Sequence, residues 1–145
     1  MTEFWDSVAT DRSPPRLRDV LAGFERLLEV GIGRRTDLAA ALSEAGVTVT
    51  AVDVTERDVP DGVAFVRDDV TDPDHSVYAD ADAIYALRLP PDIQEPVAAI
   101  ADREDVPLFF TTLGTDPPVV PTDVRTIEEG SLYVYEPGRA PGRSK

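Results

Sequence analysis

The run Leu27-Leu28-Glu29-Val30 passes straight into Gly31-Ile32-Gly33, and a helical pattern opens at Thr36. A strand that hands over to a helix through a glycine turn constrains a fold tightly. The chain returns to the same sheet by a parallel crossover, and such crossovers are right-handed. Glycine allows the sharp bend and leaves no Cβ in the way of an approaching ligand. From Thr36 to Ala45 the helix sets Leu38, Ala41, Leu42 and Ala45 on one side, and Gly46 ends it as a left-handed C-cap residue. Val47 to Val54 is β-branched and nearly continuous, as in a strand buried on both faces.

The same alternation continues. Asp61-Gly62 is a turn, and Val63-Ala64-Phe65-Val66 predicts a third strand ending at Asp68-Asp69. Ala83 to Leu87 reads as a fourth strand, followed by Pro90-Pro91 and a helix through Val97, Ile100 and Ala101. Pro107 to Thr112 makes a fifth strand, and Leu132 to Tyr135 a sixth, added antiparallel. Upstream, Phe4, Trp5 and Val8 suggest one helix, with Trp5 as a packing aromatic. Leu17, Val20, Leu21 and Phe24 suggest a second. The Pro- and Thr-rich segment from Gly114 to Val124 reads as a loop. The expectation is one α/β domain over residues 1–136, Rossmann-like, with a mostly parallel sheet of order 3-2-1-4-5 flanked by helices. Residues 137–145 form a flexible basic tail. At 145 residues there is room for one core of useful size.

Charge narrows the function classes. There are 28 acidic residues against 14 basic ones, a net charge of −14, and Lys145 is the one lysine. This pattern predicts a cytoplasmic protein of a salt-loving archaeon. At molar salt the Debye length falls to about 3 Å, so crowded carboxylates repel weakly while still holding water. The acids are spread along the chain, which argues against an acidic face for a basic partner. A phosphate backbone would be repelled, so nucleic acid is disfavoured as the main ligand. With no cysteine, disulfide and thiolate chemistry are excluded. No signal-peptide pattern or bilayer-length apolar run is evident. His75, the single histidine, sits beside Asp74 in an acidic loop and reads as a solvated residue rather than a general base. A histidine-based metal site is impossible, and no Gly-x-Ser-x-Gly elbow occurs.

The glycine turn carries the candidate chemistry. The helix behind it offers free amides and a partial positive charge. Asp53 ends the next strand, where an acid commonly grips ribose hydroxyls. A dinucleotide fingerprint wants a small residue where Thr36 stands, and Arg34 and Arg35 crowd the turn, so NAD is the weaker option. Glu29 lies two residues before the first glycine, and Glu-Val-Gly-Ile-Gly resembles motif I of the class I S-adenosylmethionine-dependent methyltransferases. That resemblance implies that Glu29 contacts the methionine ammonium group. A carboxylate there suits a cation and repels a pyrophosphate. The resemblance further implies that Asp53 holds the ribose. It gives Asp69 the adenine amino group, with the Val70 amide near the ring nitrogen, and Asp68 is almost as good a candidate. Turn formation before Asp72-Pro73 is the plainer account of both acids.

The match departs from the family in three places. Arg35 stands where motif I has its third glycine. Leu89-Pro90-Pro91-Asp92 lacks the Asn or Asp that precedes Pro-Pro in amine methyltransferases. The long final hairpin and the extra segment that bind substrate are missing. Tyr85 and Arg88, at the end of the fourth strand, would flank a substrate. Alternatively, Tyr85 packs in the sheet and Arg88 pairs with Asp92.

Over nearly its full length the chain resembles the uncharacterised archaeal protein family zero-one-four-six, a small Rossmann-like group. Leu28-Glu29-Val30-Gly31-Ile32-Gly33 and Ala83-Ile84-Tyr85-Ala86-Leu87-Arg88-Leu89-Pro90-Pro91 carry the likeness. Membership implies the fold and assigns no activity. The reading is a small S-adenosylmethionine-binding protein, a methyltransferase if a partner or second copy, as in a homodimer, completes its substrate site. The alternative is a non-catalytic nucleotide-binding or interaction module with a small nucleotide-type ligand or none.

Overall fold

Seven strands form one sheet in the computed structural model, which describes residues 13–138. The segment with Phe4, Trp5 and Val8, and the tail beyond residue 138, lie outside the described residues. In chain order the elements are α1 (Leu17–Leu21), β1 (Arg26–Val30), α2 (Asp37–Glu44), β2 (Thr48–Asp53), β3 (Val63–Arg67), a 3-10 turn (His75–Val77), β4 (Ala83–Ala86), α3 (Pro91–Glu104), β5 (Leu108–Phe110), β6 (Asp123–Ile127) and β7 (Gly130–Tyr135). The strand order is β3-β2-β1-β4-β5-β7-β6. The first five strands pair in parallel, in the expected order 3-2-1-4-5.

Side-chain alternation divides the interior into two apolar layers. Leu27, Val49, Ala51, Ala83, Tyr85 and Phe109 face α1 and α2, where they meet Leu17, Val20, Leu21, Ala39 and Leu42. Leu28, Val30, Val52, Ile84, Ala86, Leu108 and Phe110 face the other way, onto Val97, Ile100 and Ala101 of α3 and onto Tyr78. Both faces of the central strands are therefore covered, which explains why β1, β2 and β4 read as almost unbroken apolar runs. At the end of α2 the Val47 amide donates to the Leu42 carbonyl and the Gly46 amide to that of Ser43, each at 3.0 Å. With Gly46 at φ 95°, this is the left-handed C-cap expected from the sequence.

Two expectations need correction. The segment from Gly114 to Val124 is a loop only as far as Thr122, because Asp123–Ile127 forms β6. A final hairpin is also present: β6 pairs antiparallel with β7, and β7 antiparallel with β5. The sheet thus gains two strands beyond the fifth rather than one. The hairpin tip is tied to α1. Glu129 Oε1 accepts from the Leu17 amide at 3.1 Å, the Glu128 amide donates to the Pro15 carbonyl at 2.8 Å, and Arg16 Nε lies 2.9 Å from Glu128 Oε1. A carboxylate at a helix N-terminus satisfies a free amide and meets the positive end of the dipole. On the other face, buried Gln94 of α3 accepts from the Val119 amide at 2.6 Å and anchors the preceding loop. The Tyr135 hydroxyl donates to both oxygens of Asp102, which fixes the end of β7 to α3.

Candidate functional site

The turn after β1 is bent by two left-handed glycines, Gly31 at φ 71° and Gly33 at φ 58°. An L-residue with a side chain would be strained at either position. The bend is fixed from β2. The Gly31 and Ile32 amides donate to the Val52 carbonyl at 2.8 and 3.3 Å, and the Gly33 amide donates to Asp53 Oδ2 at 2.9 Å. Asp53 Oδ1 accepts from the Thr55 amide at 3.1 Å, and Arg57 Nε lies 3.6 Å from Oδ2. Asp53 thus sits at the end of β2 and braces the glycine turn directly. A Cβ placed on Gly31 would meet no atom within 4 Å, so the turn presents open space to a ligand.

Beneath the turn, two residues that the sequence singled out separately form a pair. Glu29 and Tyr85 stand opposite each other in the β1–β4 register, and the Tyr85 hydroxyl donates to Glu29 Oε1 at 2.7 Å. Each residue is about 1% exposed. Burial pushes the Glu29 carboxyl up to about 7, and the Tyr85 hydrogen bond pulls the other way. The Tyr85 phenol is also raised, first by burial and then by the Glu29 charge. Glu29 therefore titrates near neutral pH, unlike an exposed glutamate.

Asp69 and Val70 lie apart from these two pairs. Asp69 Oδ1 accepts from the Thr71 amide at 2.9 Å and the Thr71 hydroxyl at 2.7 Å, which holds its carboxyl below the usual aspartate value. Val70 is buried in the layer under α3. Asp68 accepts from the Tyr78 hydroxyl at 2.7 Å and from the Asp74 amide at 3.1 Å. Both acids thus take part in local turn structure.

Two neighbouring clefts open at the carboxyl ends of the parallel strands. One, of about 530 Å³, is lined by Gly31, Gly33, Arg34, Arg35, Arg57 and Arg88 among others. The second, of about 570 Å³, brings together Leu38, Thr111, Thr112, Glu129, Ser131 and Tyr133, and it shares Arg35, Leu87 and Arg88 with the first. Arg88 holds its place at some cost, since its φ of 56° is left-handed. For a non-glycine residue that conformation costs roughly 1–2 kcal/mol. Hydrogen bonds to β5's end secure it: the Arg88 amide donates to Thr111 Oγ1 at 2.9 Å and the Leu89 amide to the Thr111 carbonyl at 2.8 Å. Strain held by surrounding bonds is a common mark of a working site. No ion pair joins Arg88 to Asp92 among the described residues.

Sequence reasoning missed several residues of these walls. Arg57 was visible only as a basic residue four places after Asp53, a spacing with no meaning until the loop after β2 is folded. Thr111 and Tyr133 fall in the expected fifth and sixth strands and Ser131 just before the latter, but nothing in the sequence showed that they meet in one cleft.

The architecture has close parallels. Among solved structures, an RNA methyltransferase from Salinibacter ruber in complex with S-adenosyl-L-homocysteine superposes with a TM-score of 0.58 at 17% identity, over 94% of this chain and 96% of that one. The Methanococcus jannaschii fibrillarin pre-rRNA processing protein superposes at 0.53 and 14% identity, over 79% of this chain and 67% of that one. At such identities the likeness shows the fold. In sequence, a protein of Halobacterium salinarum is 51% identical over 122 residues, covering 83% of this chain and 95% of that one. The family described as "Uncharacterised protein family (UPF0146)" matches residues 14–138, and the chain belongs to that family.

Proposed function

We propose that the protein binds S-adenosylmethionine over the glycine turn and transfers its methyl group to a small acceptor. One observation carries the reading: a buried carboxylate, Glu29, stands immediately before an open glycine turn that Asp53 braces from the end of β2. The residues fit such a cofactor. Gly31 leaves room for close approach, and Glu29 supplies negative charge beneath the place where the methionine ammonium would lie. Each Asp53 oxygen accepts one backbone amide, so lone pairs remain for ribose hydroxyls. Asp69 and the Val70 amide are assigned the adenine edge and Arg88 the acceptor side, while Tyr85, expected to flank a substrate, is buried and instead positions the Glu29 carboxylate. The bound cofactor would supply an electrophilic methyl group on sulfur. The chain would bind it, orient it and hold the acceptor beside it.

A second reading, cofactor binding without transfer, is favoured by Leu89. This buried apolar residue occupies the position before Pro-Pro, where a polar side chain would orient an amine. Calorimetric titration in molar KCl with S-adenosylmethionine, S-adenosylhomocysteine and NAD tests the cofactor. Micromolar binding of the first two, weakened about tenfold or more in Glu29→Gln, is expected, since one lost charge-assisted contact is worth about that factor. NAD binding tighter than both would overturn the reading.

A further inference from the structure

Only 14 basic residues stand against 28 acidic ones in this chain, yet four of them, Arg34, Arg35, Arg57 and Arg88, line a single cleft. Arg34, Arg35 and Arg88 are exposed and make no ion pair among the described residues. Arg57 lies near Asp53, but its buried Nε has no hydrogen-bond acceptor. Gathering cations in one cleft while carboxylates abound elsewhere is unfavourable unless an anion joins them. The amides of Gly31, Ile32 and Gly33 already donate to β2, so recognition of an anion falls to the guanidinium groups. Their planar forks match the oxygens of phosphate.

We propose that the arginine-lined cleft binds the phosphate group of a small phosphorylated molecule, the acceptor that meets the cofactor. The cofactor's single carboxylate can occupy one fork and leaves the others for this second anion. The adjoining cleft, with Thr111 and Ser131 and the shared wall of Arg35 and Arg88, has room for the rest of the molecule. A net charge of −14 repels an extended polyanion, whereas a compact phosphate needs only the local positive field. Calling the anion an acceptor rests on the cofactor reading above; the anion site itself does not.

The test is calorimetric titration of the full chain with inorganic pyrophosphate in molar KCl, with and without saturating S-adenosylhomocysteine. Saturable binding that persists with the cofactor product bound is expected. Arg88→Gln and Arg35→Gln should each weaken it about tenfold, while Arg103→Gln on α3 leaves it unchanged. Arg34→Gln, at an exposed position on the turn, serves if either variant loses its far-UV spectrum. Absence of saturable binding overturns the site, as does equal weakening by Arg103→Gln. Displacement of pyrophosphate by S-adenosylhomocysteine overturns the acceptor assignment. So does tighter binding of a short single-stranded oligonucleotide. Pyrophosphate binding in a protein that ignores S-adenosylhomocysteine leaves the anion site standing and removes the cofactor reading alone.

Discussion

Replacing Glu29 by glutamine is expected to stabilise the protein at pH 8 by about 3 kcal/mol and to cost it cofactor affinity. The sign follows from where the carboxyl titrates. Its ordinary value is 4.5, and burial raises it to about 7 in the fold. Between these values the folded chain holds a proton that the unfolded chain has released, so stability falls as pH rises. The contribution of the neutral acid is complete below about pH 4.5 and is lost as pH climbs through about 7. At about 1.4 kcal/mol per pKa unit, the shift amounts to roughly 3 kcal/mol. Glutamine keeps an acceptor for the Tyr85 hydroxyl but never ionises, so it escapes the loss. Denaturant unfolding of both proteins in molar KCl should give stabilities that coincide near pH 4.5, separate up to about pH 7 and level off by pH 8. A stability difference independent of pH would contradict the buried ionisation. The expected trade, more stability and less binding, is the usual consequence of removing a buried charge kept for function.

Transfer from molar to millimolar KCl should remove most of the far-UV helical signal. Close ion pairs among the described residues include Arg16–Glu128, Arg18–Asp19, Arg57–Asp53 and Arg103–Glu104, and 14 basic residues cannot neutralise 28 acids. As salt falls from about 1 M to about 0.01 M, the Debye length grows from about 3 to about 30 Å, and every surface carboxylate then feels most of the others. Self-repulsion of this kind opposes the compact state. The arginine cluster beside the glycine turn adds a second, local repulsion. A spectrum unchanged across the dialysis would contradict this account of the charge.

The central parallel strands were legible because both of their faces are buried, and β3, an edge strand, because turn residues bound it; the helices between them carry their own start and stop signals. Gly46 ends α2 and Pro91 opens α3. Of the final hairpin, β7 was read as the sixth, antiparallel strand, whereas β6 was not legible, for the opposite reason. β6 is an edge strand, and of Asp123, Val124, Arg125, Thr126 and Ile127 only the last is buried. Its residues carry little apolar alternation, and its tip, Glu128-Glu129 before Gly130, lacks an Asn-Gly or Asp-Gly signal. α1 also ends earlier than its apolar spacing suggests, at Leu21. Phe24 lies beyond the helix and packs its ring on Phe109 at 5.6 Å. In the site, the glycine turn and Asp53 could be read from the strand and helix pattern, whereas Glu29 was singled out by the resemblance to motif I. The Glu29–Tyr85 bond joins residues 56 positions apart and depends on a strand register that no local pattern fixes. The convergence of Arg34, Arg35, Arg57 and Arg88 likewise requires the crossover to be folded.

A crystal structure of the protein soaked in S-adenosylhomocysteine tests whether the glycine turn is the floor of an S-adenosylmethionine site. Density is expected over Gly31 and Gly33, with the amino group toward Glu29 and the ribose hydroxyls on Asp53. A turn left bare at saturating ligand, or density seated elsewhere on the sheet, would contradict that placement.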